Sequence, residues 1–163
     1  MADRMRDELS KTLDKYDARR RADEAREQKT RDDDARFLER FAELRRELAR
    51  PVFEEAGALL VERGHGYTIA EQEFSVDAEG KVVEADISLS ILPAGLAPAA
   101  QDDHSRTLSL TTRHYNKTVW IHLGRGHDPG GVAGSKGAYA LERIDRQLIE
   151  DEVLRLVSAV LAG

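Results

Sequence analysis

Cysteine is absent from the 163 residues, so the chain holds no disulfide framework and has no thiol for catalysis or for a cysteine-ligated metal. Aromatics make up 6% and include a single tryptophan, Trp120. No apolar run approaches the length of a membrane span, and Met1 leads directly into Ala-Asp-Arg-Met-Arg-Asp without the apolar stretch of a secretory signal. These absences predict a cytoplasmic protein with no membrane partner.

What is abundant is charge, and it is unevenly spread. Residues 1–50 contain 15 Lys or Arg and 14 Asp or Glu, whereas the remainder carries 10 basic and 17 acidic residues. The apolar-rich part is thus the acidic part, which argues against nucleic acid as its partner. The length suits one domain.

Residues 1–36 alternate charges of both signs without proline or glycine, predicting a charged helical arm. Met5, Leu9, Leu13 and Tyr16 mark a faint stripe on it. Residues 37–163 read as one α+β domain. Its first helix covers 37–63, with Phe37, Phe41, Leu44 and Leu48 at spacings of 4, 3 and 4 and with charge on the other faces. Pro51 kinks or breaks this helix near Arg50, because the ring removes a hydrogen-bond donor. Val52, Phe53, Ala56, Leu59 and Leu60 resume the apolar face. Gly64-His65-Gly66 ends it.

From residue 67 the period changes to two, giving a four-stranded antiparallel meander over 67–123. Tyr67–Asp77 and Lys81–Leu92 form one hairpin, in which Ala85, Ile87, Leu89 and Ile91 face inward. Thr107–Tyr115 and Thr118–Leu123 form another across Asn116-Lys117, with Pro93–Arg106 as a loop between the two hairpins. A glycine-rich loop follows over 124–137. The last helix, within 145–162, starts from an N-cap at Asp145 and packs on the same sheet face as the first, burying Ile149, Val153, Leu156, Val157 and Val160.

Candidate chemistry is sparse. The five histidines lie at spacings unlike those of a zinc site, and His114 and His122 fall on opposite faces of the second hairpin, so no metal and no cofactor are expected. Pairing Glu73 with Glu84 and Glu71 with Asp86 places four acids on the solvent face of the first hairpin, where like charges repel unless a partner offsets them. Trp120, Arg113, Tyr115 and His122 alternate onto the outer face of the second hairpin, as a partner-binding patch. The glycine loop lacks the order of a P-loop or a dinucleotide fingerprint, leaving Arg125, His127 and Lys136 as candidates for a nonstandard anion site.

Without a nucleophile elbow or a metalloprotease motif, catalysis has no advocate. The leading expectation is a non-enzymatic protein–protein interaction module. It forms a homo-oligomer, with a dimer favoured, through Leu9, Leu13, Tyr16, Phe37, Phe41, Leu44 and Leu48, and meets a protein partner on its outer sheet face. The alternatives are a small-ligand or anion-binding domain, an enzyme among them, that uses 124–137, and, more weakly, a small acidic chaperone.

Overall fold

In a computed structural model that describes residues 2–100, 103–124 and 137–162, the chain is α+β and divides into two compact units, Met1–Arg36 and Phe37–Gly163. Helix α1 (Ala2–Leu44) accounts for the described part of the first unit and opens the second. A π-helical turn, Arg45–Ala49, joins it to α2 (Arg50–Glu62). Pro51 explains the turn. Its nitrogen cannot donate to the carbonyl four residues back, and the backbone widens just upstream, where the Arg50 N–H donates to the Arg45 carbonyl.

The expected break is therefore a widening. An extra residue in one turn shifts the apolar phase by one. Ala49 and not Leu48 is fully buried, the inward face of α2 becomes Val52, Phe53, Gly57 and Leu60, and Leu59 points outward. The end of α2 matches expectation, since Gly64 takes a positive φ of 89°. The His65 N–H donates to Leu60 O and the Gly64 N–H to Val61 O. That pair of bonds satisfies carbonyls left open at a helix end.

The sheet has five antiparallel strands instead of the four expected. They are β1 (Gly66–Gln72), β4 (Asp86–Leu92), β5 (Thr107–Arg113), β6 (Thr118–Leu123) and β7 (Ala138–Ala140), side by side in that order. Two short strands, β2 (Ser75–Val76) and β3 (Val82–Val83), continue the first hairpin in the same register beyond a break at residues 73–74 and 84–85. At that break the Ala85 N–H donates to Thr112 Oγ1, 3.0 Å away on β5. A buried donor without its ladder partner is thereby satisfied.

After β7 a 3-10 turn, Leu141–Arg143, leads to α3 (Arg146–Val157), whose Asp145 carboxylate accepts from the Leu148 N–H at 2.8 Å, the expected N-cap. A further π-helical turn, Ser158–Ala162, follows α3. Helix α2 packs on β1, and α3 packs on α2 and β5. Between helices and sheet lies one core that includes Phe41, Phe53, Ile87, Leu89, Leu110, Ile149 and Leu156. Each such side chain contributes about 1.5–3 kcal/mol on burial. Phe37, Phe41 and Leu44 belong to this core, and Leu48 packs partly against it. They serve their own unit and are not a surface for another helix, which corrects the sequence expectation.

Candidate functional site

Strand parity decides what the outer sheet face displays. The pairs Ser109–His122, Thr111–Trp120 and Arg113–Thr118 bring Trp120, His122 and Arg113 onto one side. This register differs by two residues from that of a hairpin turned tightly at Asn116-Lys117, and a shift of two leaves every side chain on its expected face. The Arg113 guanidinium lies 4.4 Å from the Trp120 ring centroid, and the His122 ring lies 4.5 Å from it on a neighbouring rung. A guanidinium over an indole face is a favourable cation–π arrangement. Gly137 closes against the indole edge, where an added Cβ would fall 2.8 Å from Trp120 Nε1 and from the Ile121 carbonyl. Among the described residues, Trp120 Nε1 is buried without an acceptor. Tyr115 does not join this stack. It sits exposed in the turn after β5, edge-on to His114 at 6.0 Å.

Short hydroxyl side chains floor the rest of the face. Ser88 pairs with Ser109, and Ser90 pairs with Thr107 through hydroxyls 2.8 Å apart. The result is a polar surface with a π-cation stack at one side.

The four acids do not form a cluster on it. Asp77 accepts the Glu79 and Lys81 N–H groups on one carboxylate oxygen, and its own N–H donates to Lys81 O, so the loop closes around Ala78, Glu79 and Gly80. This sets Gln72 opposite Asp86 and Glu71 opposite Ile87, one residue from the expected register. A shift of one exchanges faces. Glu71 thus turns toward the helices, 3.7 Å from Arg45 Nε and 3.4 Å from Arg50 Nη1. Glu73 receives Arg45 Nη2 at 2.6 Å. Glu84 accepts from the His114 backbone N–H and approaches His114 Nδ1 to 2.9 Å, with Thr112 Oγ1 at 3.3 Å. Only Asp86 remains on the outer face.

The residue that holds Glu71 and Glu73 is Arg45, which sequence reasoning assigned to a solvated face. It is 7% exposed. Its Nη1 donates to the carbonyls of Gln72 and Asp86, each at 3.2 Å, where the hairpin breaks, and its guanidinium lies 5.8 Å from the Phe41 ring centroid. The one available signal was its position four residues after Phe41, beside the apolar stripe.

Burial pushes the Asp86 carboxyl above its ordinary range, against the opposing effects of the Arg45 charge and the Gln72 N–H. A carboxyl whose folded value is raised holds its proton better when folded, so burial of its charged form opposes stability at neutral pH, and that penalty fades as pH falls through the raised range. Asp86→Asn is accordingly expected to be more stable than the natural chain at neutral pH. The advantage should narrow as pH falls toward the ordinary carboxylate range, as read from urea midpoints across the pH series.

Among the described residues no group of three or more His, Cys, Asp or Glu could hold a metal ion. His65 Nδ1 accepts the Ala94 N–H at 2.9 Å, a structural role. Arg125, His127 and Lys136 lie outside the described residues. Among those described, no helix is long and apolar enough to cross a membrane.

On the first unit, Met5, Leu9, Leu13 and Tyr16 each leave more than half of their surface in water. Around them run local pairs such as Arg20 with Glu24 at 3.3 Å and Gln28 with Asp32 at 2.9 Å. No family model, no curated protein and no solved structure matches this chain.

Proposed function

We propose that the protein is a non-enzymatic interaction module that self-associates through the Met5, Leu9, Leu13 and Tyr16 stripe of α1 and presents its outer sheet face to a protein partner. The observation that carries the reading is the exposure of that stripe on a helix whose described residues from 3 to 36 include none that is buried. Such a helix holds its form through propensity and local ion pairs alone, each pair adding about 0.3–0.5 kcal/mol. Burying the stripe against a second copy adds the apolar term that α1 lacks. The Arg113–Trp120–His122 stack supports the second half of the reading, because aromatic and arginine side chains are the usual anchors of protein interfaces. A small-ligand or anion site in 124–137, which would admit an enzyme, rests on Arg125, His127 and Lys136 alone, and the acidic-chaperone reading on size and charge.

Sedimentation equilibrium of the full chain tests the self-association. The natural chain is expected to form a dimer, and Leu13→Asp to weaken it more than tenfold in Kd, or about 1.4 kcal/mol or more, with the fold of residues 37–163 unchanged by circular dichroism. A natural chain that stays monomeric would sink the proposal.

A further inference from the structure

We infer that the two copies of α1 pair antiparallel, crossing between Leu13 and Tyr16. The inference rests on the self-association proposed above and adds its geometry.

Helix α1 is unbroken from Ala2 to Leu44, so a single heptad frame runs through its first unit. Leu9, Leu13 and Tyr16 step by 4 and 3, the d, a, d spacing of a two-stranded seam. The same frame places Arg6 and Arg20 at a positions, Asp23 at d and Glu27 at a. In a parallel, in-register pair every a or d residue faces its own copy. Arg6 then meets Arg6, Arg20 meets Arg20, Asp23 meets Asp23, and Glu27 meets Glu27. Four like-charge layers would flank three apolar ones. The neighbours that Arg20 and Asp23 have on their own helix, Glu24 and Arg26, lie at the exposed surface and screen this repulsion only in part.

An antiparallel pair joins a to d instead. With the crossing point between Leu13 and Tyr16, Leu13 faces Tyr16 of the second copy, Arg6 faces Asp23, and Leu9 faces Arg20, whose methylene stem can cover it while the guanidinium reaches water. No like charges meet in any of these layers. Sliding the pair by one heptad toward the carboxyl end sets Leu13 against Asp23. Sliding it the other way forfeits the Arg6–Asp23 contact. Charge complementarity therefore selects both the direction and the register, with a second copy of this chain as the occupant.

The absence of cysteine makes the test direct, since one introduced cysteine carries one label. Lys15→Cys and Lys29→Cys, both at exposed c positions away from the seam, are spin-labelled in the full-length protein and read by pulsed dipolar spectroscopy. In the antiparallel pair the two Lys15 sites are offset by one residue and lie within the width of the pair, about 20 Å. The two Lys29 sites are offset by 29 residues, about 44 Å at 1.5 Å per residue. Short distances at both positions mean a parallel pair and overturn this inference while leaving self-association intact. A monomer, or a long distance at Lys15, overturns the stripe as the contact and the inference with it. Charge exchange gives an independent readout: Arg6→Glu and Asp23→Arg should each weaken the dimer several-fold, and the double variant should recover most of that loss. Loss without recovery overturns the Arg6–Asp23 register.

Discussion

Arg45→Ala is expected to cost the Phe37–Gly163 unit about 3–5 kcal/mol, the range for removing one member of a buried, hydrogen-bonded charge group. The side chain ties the two layers together at one point. Its fork reaches the Gln72 and Asp86 carbonyls and the Glu73 carboxylate, and the guanidinium lies 5.8 Å from the Phe41 ring centroid. Alanine removes those donors and leaves a void in their place. Arg45→Met keeps most of the stem and is expected to recover part of the loss, which separates packing from hydrogen bonding. Glu73→Gln should cost under about 1 kcal/mol, because the Glu73 side chain is 78% exposed and its pair is screened by water. Urea midpoints at fixed m-value measure all three. A cost for Arg45→Ala no larger than that for Glu73→Gln would mean that the helix layer holds the broken hairpin without this residue.

The same residue shows where sequence reasoning stops. The layers were legible because burial follows period: Ile87, Leu89 and Ile91 alternate in the sequence and are buried on one side of β4, with Ala85 just before it buried as well. The cap at Asp145 was legible because it depends on a single turn of local chain. Position along the sheet was harder. In the second hairpin the register differed by two residues, and Trp120, His122 and Arg113 still share a face. In the first it differed by one, and the acids scattered to Arg45, Arg50 and His114. The deciding detail was the Asp77 carboxylate gripping two backbone donors, a side-chain bond that hydropathy does not encode. Arg45 was hidden for a related reason. It stands four residues after Phe41, within helical reach of the buried stripe, but a charged side chain there reads as solvated until its hydrogen-bond partners are known. β7 was also obscure, since three residues are too few for a period, although its middle residue, Tyr139, pairs with Val119.

Gly57→Leu is expected to destabilise the same unit by about 3 kcal/mol, at the upper end of the usual cost of overpacking. Gly57 lies in the middle of α2, where glycine costs about 1 kcal/mol relative to alanine, so its presence needs a reason. The reason is Tyr67. A Cβ on residue 57 would lie 2.4 Å from Tyr67 Cζ, closer than any real contact. The missing side chain lets α2 settle onto the first strand with the Tyr67 ring between them. Leucine at 57 gains helix propensity but forces that ring out and loses its burial. The double variant Gly57→Leu, Tyr67→Ala isolates the cause: with the ring gone, the introduced leucine fills its space, and the double variant should be more stable than the Gly57→Leu single variant. A double-mutant cycle read by chemical denaturation measures this coupling. A coupling energy near zero would place the cost of Gly57→Leu elsewhere in α2. A clear positive recovery shows that the ring beneath Gly57 sets how closely the helix approaches the edge of the sheet that starts the broken hairpin.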